Sequence, residues 1–481
     1  MKPLRVIPSL LVLAGWGLRL TCLPCQNLWY DEAFTLAVTK ADWSTFWQAL
    51  LSDAVHPPGY YLLLRGWLWV SGDSEFGLRF LSVVTGALAI SLMWRLAGAL
   101  GGRRLAVVAA VLLVLNPFAI WYAQEARMYS LVLCLATGIG WIFWRLLQSP
   151  GWRRWLPFTL ATAAAFLIHY FAFLLSLAQF AYLVLRLRKH HRAFRWWVLA
   201  QAAAVLPFLP WAWLVATREG RNFGIGWIPQ TTLVDIPLTI SNLSLALSQP
   251  DSPWTWIGLV LILAACLWSL WCNRVKPQES TGRLSFRAKR GISPFTQSTT
   301  PSITEVPRPE KSDEPRRRLS FRAKRGISPF VQSTTSSTEK MPSSEQAVRL
   351  RTNKSGASSE ISDGYLYLSM WLIVPLVFVW LLSQRLPIYI DRFFIISLPA
   401  LLLLVSTVGL CPGRLARGIM AVVLLATTTA TARLWLDPNL VKERWQAATD
   451  YVSQNELGGD VLVMRDFQTG IPFLAYYGGT L

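Results

Sequence analysis

Charged residues are scarce in this sequence, since Asp, Glu, Lys and Arg together make up 15% of its 481 residues. Hydrophobic residues make up 53% and the mean hydropathy is +0.38, outside the usual range of water-soluble domains. Several apolar runs approach the length needed to cross about 30 Å of hydrocarbon. They include 78–97, 105–121, 170–187 and 366–382. The composition therefore argues against a water-soluble fold and predicts a protein that crosses a membrane several times.

Acidic side chains are fewer than basic ones, 26 against 46, which leaves a formal net charge of +20. The distribution of this charge argues against nucleic acid as a partner. Half of the excess comes from Arg274–Ser362, which holds 18 Lys/Arg against 8 Asp/Glu. Most other basic residues form short clusters between apolar runs, as they do in cytoplasmic loops. These clusters are 103–104, 153–154, 186–195 and 414–417. The positive charge therefore mainly indicates topology.

Cysteines number only six, and Cys22 and Cys25 are the one close pair. Without a second pair at the spacing of a zinc site, three alternatives are open: a disulfide, two metal ligands or no role. Because spacing alone is weak evidence, we favour the last of these. The other four cysteines are expected to be buried apolar thiols.

The apolar runs predict eleven spans if the N-terminus is cytoplasmic, with every basic cluster inside and the C-terminus outside. The first run has no convincing small-residue cleavage site, so we expect an uncleaved span. The spans must be helical, because no other open arrangement satisfies its backbone hydrogen bonds in lipid. The predicted fold class is an all-α integral membrane protein. The predicted spans are 6–23, 78–98, 105–122, 129–147, 155–168, 170–187, 196–216, 254–273, 364–383, 392–410 and 415–435.

Residues 1–273 are predicted to form an N-terminal transmembrane module that carries the site. Its first outer loop, about 24–76, contains two amphipathic segments near 42–51 and 60–70. Both are rich in Trp, Leu and Tyr, which is typical of helices that lie at the membrane interface. The first outer loop therefore predicts interfacial helices between the first two spans.

Residues 274–362 are dense in Ser, Thr, Pro, Lys and Arg and poor in apolar side chains. Such a segment buries too little surface to offset the entropy of ordering, so we expect a disordered cytoplasmic insertion. Within it, Arg283–Phe295 recurs unchanged at Arg318–Phe330, an offset of 35 residues. A single repetition is too little for a solenoid, and an inserted or duplicated low-complexity tract is the favoured interpretation.

Residues 363–436 are predicted to hold the C-terminal transmembrane helices. Beyond them, 437–481 returns to the composition of a globular segment, with a helix expected at 445–452 and a short strand at 460–464. We expect a short extracytoplasmic tail or the truncated beginning of a small domain.

A small set of polar side chains falls in the outer loops, all on one predicted side of the membrane. Ionisable groups beside apolar spans are costly to desolvate and tend to be paired or functional. The sequence segments that hold them are LWYDEAFT, HPPGYY, YAQEARMY, the pair His169-Tyr170 and the pair Asp391-Arg392. The candidate site residues are Asp31, Glu32, His56, Tyr60, Gln124, Glu125, Arg127, Tyr129, His169, Tyr170 and Arg392.

In combination these segments resemble the polyprenyl-phosphate-sugar glycosyltransferases of the C-type superfamily. Relatives in that superfamily include protein O-mannosyltransferases and the aminoarabinose transferase of lipid A. The matching pieces are Leu18–Leu20 near the end of the first span, LWYDEAFT, HPPGYY about 25 residues later, and YAQEARMYSL at the fourth span. The resemblance covers roughly 1–215 well and the later spans by pattern only.

The resemblance implies an inverting transfer of a sugar from a lipid-linked donor, with Asp31 in the place of the catalytic aspartate. A carboxylate at Asp31-Glu32 suits a general base, because an acceptor hydroxyl must lose its proton as it attacks the anomeric carbon. The departing polyprenyl phosphate needs cationic stabilisation, which Arg127, Arg392 or a divalent ion can supply. The remaining candidates would bind donor phosphate, acceptor or metal.

The predicted partners are a polyprenyl-phosphate sugar, membrane lipid and an extracytoplasmic acceptor, without nucleic acid. No cofactor is firmly implied, although a divalent metal is compatible with the chemistry. The predicted location is the bacterial inner membrane, with the site facing outside the cytoplasm. The main alternative is a transporter or flippase for a lipid-linked substrate, whose site is expected near the bilayer midplane on broken helices. The sugar and the acceptor stay open.

Overall fold

The structure, a computed structural model, describes residues 6–148, 151–218, 228–246, 253–275, 344–457, 460–464 and 467–478. By its internal contacts the chain divides into two units. The larger unit contains 1–276 and 355–481, and all further description concerns it. The second unit is 277–354, of which only 344–354 is described. The repeat and most of the predicted insertion therefore lie outside the described residues.

The described residues are helical, with no strand among them, as the predicted all-α fold requires. The N-terminal helices are α1 (Ile7–Leu20), α2 (Tyr30–Lys40), α3 (Trp43–Asp53), α4 (Gly59–Ser71), α5 (Glu75–Leu115), α6 (Pro117–Ala123), α7 (Tyr129–Gln148), α8 (Trp152–Ile168), α9 (Ala172–Leu185), α10 (Leu187–Val205), α11 (Leu209–Thr217), α12 (Asp235–Leu245) and α13 (Pro253–Val275). The later helices are α14 (Ser344–Ser383), α15 (Leu398–Ser406), α16 (Arg414–Leu436), α17 (Trp445–Asn455) and α18 (Phe467–Tyr476). Short 3-10 turns occur at Leu206–Phe208, Asp391–Ser397, Thr407–Leu410 and Pro438–Leu440.

Six described stretches are long and apolar enough to cross a membrane, so the protein is a multi-pass membrane protein. They are Glu75–Leu115, Tyr129–Gln148, Leu187–Thr217, Ser362–Ser383, Asp391–Leu410 and Arg414–Leu436. Shorter apolar helices at Ile7–Leu20, Ala172–Leu185 and Thr255–Ser269 accompany them. The predicted count of eleven spans is not confirmed. Leu199, Trp213, Val260, Leu267 and Leu425 present their side chains outward, as lipid-facing residues do.

Helix α5 contains two of the predicted spans, separated by a kink at Gly101 and Gly102. Gly102 has a φ of 75°, a backbone conformation that glycine adopts without steric cost. The second arm ends at Leu115 and not at residue 122 as predicted. The difference arises because the Asn116 side chain accepts a hydrogen bond from the Ala119 amide at 2.8 Å and starts the separate helix α6.

The first span is anchored to the second arm of α5 by a buried arginine. Arg19, the centre of the Leu-Arg-Leu segment, donates to the carbonyl oxygens of Gly15 at 3.0 Å and Leu113 at 3.1 Å. Its side chain is wholly buried. Because the carbonyls satisfy part of the guanidinium, the charge is tolerated inside the helix bundle. Arg19 thus has a structural contact that accounts for its place in an apolar segment.

The first outer loop forms three helices, α2 to α4. The amphipathic segments predicted near 42–51 and 60–70 correspond to α3 and α4, whereas α2 adds a helix over the Asp31-Glu32 segment. Asp42 caps α3 by accepting hydrogen bonds from the amides of Ser44 at 2.9 Å and Thr45 at 3.1 Å. The acidic pair is therefore held on a helix and not on an irregular loop.

Cys22 and Cys25 form a disulfide at the end of α1, so the interpretation that they have no role is wrong. Cys22 has a φ of 58°, in the left-handed region, and the Cys25 amide donates to its carbonyl at 3.1 Å. This tight turn brings the sulfurs together. The sequence spacing allowed the pairing but did not show the turn that produces it.

The C-terminal segment has the predicted helix, here α17, but 460–464 is not a strand. A strand needs a hydrogen-bonded neighbour, and the described residues offer no strand to pair with it. Residues 344–362, which the composition assigns to the disordered insertion, belong to helix α14. At 460–464 the local composition therefore predicted the wrong conformation, and the predicted insertion stays a prediction.

The two glycines of α4 provide a test of how closely α4 packs on α8. A Cβ at Gly59 would lie 2.5 Å from the Leu167 carbonyl oxygen, whereas Gly66 has nothing within 4 Å. We expect Gly59→Ala to lower the apparent Tm in detergent by several degrees, because a backbone carbonyl cannot move aside cheaply. Gly66→Ala is the matched control and should leave Tm unchanged or raise it slightly, since Ala favours a helix by about 1 kcal/mol over Gly. Equal Tm values for the two variants would contradict the packing.

Candidate active site

The two acidic residues of the first loop occupy the first turn of α2, where the positive end of the helix dipole favours them. Neighbouring residues on a helix point in different directions, and the two carboxylates have different surroundings. The Asp31 side chain is 18% exposed, whereas that of Glu32 is 0% exposed. The Asp31 side chain is thus partly exposed, although its Oδ2 atom is buried, and Glu32 is enclosed by the protein.

Asp31 lies between two arginines from distant parts of the chain. Its Oδ2 atom is 3.4 Å from Arg392 Nη1 and 3.9 Å from Arg127 Nε. Within the described residues this oxygen has no hydrogen-bond partner. The arrangement places one buried, unbonded carboxylate oxygen beside two positive charges, on a side chain that is itself partly exposed.

Arg127 is a buried cation that holds α2 and α4 together. Its Nη1 atom donates to Thr35 Oγ1 at 3.1 Å and to Tyr61 Oη at 3.4 Å. Burial, the largest single effect, would lower the pKa of Arg127, but Asp31 and the neighbouring tyrosines together outweigh it and raise the pKa. Tyr61 was not among the predicted site residues. Its place in HPPGYY, next to Tyr60, was the available signal.

Glu32 is fixed by two cations and a backbone amide. Arg79 Nε and Nη2 each donate to its carboxylate at 2.8 Å, and Lys442 Nζ and the Ala126 amide each do so at 2.8 Å. Burial would raise the pKa of Glu32, but the Lys442 and Arg79 charges outweigh it and lower the pKa to about 2. Removing one partner of such a buried pair typically costs about 3–5 kcal/mol. Every approach to this carboxylate is taken by the protein.

Arg79 and Lys442 were not predicted as site residues. Arg79 also donates to the carbonyls of Leu23, Gln26 and Asn27 at 2.8 to 3.0 Å, so it organises the turn before α2. An arginine that begins an apolar span was a signal that could have found it. For Lys442 the sequence offers no such signal, because Lys442 lies 410 residues from Glu32.

Glu125 is buried, and its Oε2 atom has no hydrogen-bond partner within the described residues. Burial is the main reason why its pKa is raised to about 7. The preceding Gln124 points elsewhere and donates to the carbonyls of Arg19 at 3.2 Å and Thr21 at 2.7 Å. Glu125 is therefore a carboxyl group able to hold a proton near neutral pH, and Gln124 ties its loop to α1.

His56 and His169 form a buried aromatic cluster with Phe393 and Tyr129. The ring centroids of the two histidines are 5.1 Å apart, and that of His169 is 4.9 Å from Phe393 and 6.1 Å from Tyr129. Burial lowers the pKa of His56 well below its usual value and that of His169 to about 3. His169 Nδ1 accepts from the Phe171 amide at 3.1 Å, which leaves Nε2 as the donor. Both rings are neutral and can hydrogen-bond but not pair with a phosphate.

Tyr60 and Tyr170 have different surroundings. Tyr60 is wholly buried beside Tyr61, with ring centroids 6.0 Å apart. Tyr170 Oη donates to the Ala54 carbonyl at 3.1 Å and accepts from Trp211 Nε1 at 2.8 Å. Tyr170 therefore joins the end of α3 to α11, and its hydroxyl is occupied by those bonds.

A cavity of about 920 Å³ opens beside Arg392. Its wall includes the rings of Trp121 and Tyr122 and the polar side chains of Asn242 and Asp391. Asp391 accepts hydrogen bonds from Thr239 and Asn242, which fixes it against α12. Aromatic faces beside fixed polar groups form a pocket of the size that ligands commonly use. Among the described residues, no group of three or more His, Cys, Asp and Glu side chains is arranged to hold a metal.

The family model described as "Dolichyl-phosphate-mannose-protein mannosyltransferase" matches residues 55–213. The fold is similar to two crystal structures of ArnT from Cupriavidus metallidurans. The apo structure shares 14% identity and a TM-score of 0.52 over 97% of this chain and 84% of ArnT. The structure bound to undecaprenyl phosphate shares 13% identity and a TM-score of 0.56 over 98% and 85%. No curated protein matches the sequence significantly. The predicted resemblance to polyprenyl-phosphate-sugar glycosyltransferases of the C-type superfamily is confirmed.

The raised pKa of Glu125 has a consequence for stability. Between its ordinary value of 4.5 and about 7, the unfolded chain loses the proton that the folded chain retains, so Glu125 costs stability as pH rises. We therefore expect Glu125→Gln to have a higher apparent Tm than the wild type, by a margin that grows from pH 4.5 to pH 7 and then levels off. Thermal unfolding in detergent across this range checks it. Glu443→Gln, a change at an exposed carboxylate, should show no such trend. A constant margin would refute the assignment.

Proposed function

We propose that this protein is an inverting membrane glycosyltransferase that moves a sugar from a polyprenyl-phosphate donor to an acceptor outside the cytoplasm of a bacterium. The observation that carries the proposal is the position of Asp31, with an unbonded carboxylate oxygen between two arginines. The similarity to ArnT, which has been crystallised with undecaprenyl phosphate, supports a polyprenyl carrier.

Asp31 is assigned the role of general base. As the acceptor oxygen bonds to the anomeric carbon, the Asp31 carboxylate takes its proton, and the bond from that carbon to the phosphate oxygen breaks. The electron pair leaves with the polyprenyl phosphate. A single displacement on the face opposite the leaving group inverts the anomeric configuration. Proton removal of this kind contributes about 10²- to 10⁴-fold to rate.

We assign to Arg392 the stabilisation of the negative charge that develops on the departing phosphate. Its side chain is 19% exposed and lines the cavity, whereas Arg127 is 5% exposed and already bonded to Thr35. A guanidinium can pair with two phosphate oxygens at once, and it stays charged throughout the reaction. Arg127 then serves to hold Asp31 and α2, and Arg392 to meet the donor.

The contacts of Glu32 favour a positioning role over the catalytic role that the sequence predicts. Its carboxylate accepts from Arg79, Lys442 and the Ala126 amide, so little of it remains for a substrate. We assign to Glu125, His56 and His169 the binding of uncharged hydroxyl groups, because their surroundings disfavour charge. Which sugar and which acceptor fill the site is left to the experiment.

The test is transfer of radiolabelled sugar from a panel of polyprenyl-phosphate donors by the purified protein in detergent. We expect Asp31→Asn to reduce turnover by about 10³-fold or more, because the amide cannot accept the proton. Binding of polyprenyl phosphate should change little, since Arg392 is retained. Asp73→Asn is the control, because Asp73 pairs with Lys40 at the exposed end of the first loop. It should retain wild-type turnover.

Two results would overturn the proposal. If none of the donors is turned over by the wild type, the transferase assignment fails, and movement of a lipid-linked substrate across vesicles becomes the next measurement. If Asp31→Asn retains turnover while the protein transfers sugar, the general base lies elsewhere.

A further inference from the structure

We infer that Lys442, which follows the last spanning helix, is a positioning residue that fixes the catalytic helix α2 from outside. The inference rests on the proposed function, because the position of α2 affects the reaction only if Asp31 on that helix takes part in it. The observation is a juxtaposition: a lysine from the far end of the chain donates to the carboxylate next to Asp31.

The contact of Lys442 is direct and buried. Its Nζ atom donates to Glu32 Oε2 at 2.8 Å, and its side chain is 9% exposed. The ammonium also lies 6.0 Å from the ring centroid of Trp121, within the range of a cation–π contact. A desolvated lysine that found no counter-charge would be costly, so its placement here depends on Glu32.

The rest of the C-terminal segment docks on the same turn. The Lys442 amide donates to Gln26 Oε1 at 3.3 Å, and the Gln446 amide donates to Asn27 Oδ1 at 3.1 Å. Further along, the Leu28 amide donates to Tyr476 Oη at 2.7 Å. These bonds place the C-terminal segment along the residues that lead into α2. Lys442 is therefore held in place by its own backbone as well as by its side chain.

The position of Glu32 makes this contact relevant to the reaction. Glu32 directly follows Asp31 in the first turn of α2, so rotation or sliding of that turn would move both carboxylates. Arg79 holds Glu32 from α5, and the Ala126 amide holds it from the connection between α6 and α7. Lys442 occupies Oε2 together with Arg79 and closes the remaining side. A displacement of about 1 Å at a reacting group can cost about 10²-fold in rate.

The Lys442 ammonium also acts on a second carboxyl group of the site, that of Glu125. After burial, the nearby charges that affect the pKa of Glu125 are, from the largest effect to the smallest, those of Lys442, Glu32, Arg392 and Asp31. Lys442 thus balances two neighbouring carboxyl groups and not only one. Loss of the ammonium would leave Glu32 with Arg79 as its only cationic partner within the described residues.

The experiment compares Lys442→Met, Lys442→Arg and Lys40→Met with the wild type. Lys40 ends the same helix and pairs with Asp73, but both side chains are more than half exposed, so Lys40→Met removes a lysine ion pair without touching the site. We expect Lys442→Met to lower kcat by about 10- to 100-fold while the Kd for polyprenyl phosphate stays near wild type. The apparent Tm should fall as well, because the change removes one partner of a buried ion pair. Lys442→Arg should restore most of the activity, and Lys40→Met should have no effect.

A second measurement does not depend on turnover. Hydrogen exchange of the 30–40 segment should speed up in Lys442→Met and not in Lys40→Met, because α2 loses an outer anchor. If the wild type transfers no sugar, the proposed function fails, and hydrogen exchange still decides whether Lys442 fixes α2. Unchanged kcat and unchanged exchange in Lys442→Met would overturn the inference. A loss of donor binding as large as the loss of kcat would overturn it as well, since Lys442 would then support the whole site and not the position of α2.

Discussion

The buried ion pair between Glu32 and Arg79 is the interaction on which the candidate site depends. Two opposite charges placed inside a protein are costly to desolvate, and they are tolerated only when their hydrogen bonds are satisfied. Here the guanidinium is satisfied by Glu32 and three carbonyls of the turn before α2. That geometry fixes the direction of α2 relative to α5. Asp31 takes its position from the same turn.

The candidate site has charged groups that are partly exposed and a separate set of buried groups whose surroundings disfavour charge. Asp31 is partly exposed and lies beside two arginines, whereas Glu125, His56 and His169 are buried in surroundings that disfavour charge. The proposed donor, a sugar linked to a phosphate, would use both kinds of surface. The residues come from loops that are far apart in sequence. Bonds to backbone groups, such as those of Gln124 and Tyr170, hold these loops in place.

The sequence allowed the helical fold to be predicted and several residues of the candidate site to be singled out, for identifiable reasons. Apolar runs near the length of a bilayer have few alternatives to helices, so the class of fold followed directly. Asp31, Arg127 and Arg392 were singled out because they are charged residues beside apolar runs. The structure brings both arginines within 4 Å of Asp31. The predicted end of the span in α5 and the strand at 460–464 were wrong, because a cap decides the first and a pairing partner the second.

What the sequence determined by itself is the environment: a chain with this hydropathy must be helical in a membrane, and its few charges must be paired or functional. Only the tertiary structure decided how the surroundings of two adjacent residues, Asp31 and Glu32, differ. Asp31 and Glu32 are adjacent and chemically alike, yet one faces a cavity-lining arginine and the other is enclosed by Arg79 and Lys442. Periodicity does not reveal such partners, because pairing across 47 and 410 residues depends on how the helices pack.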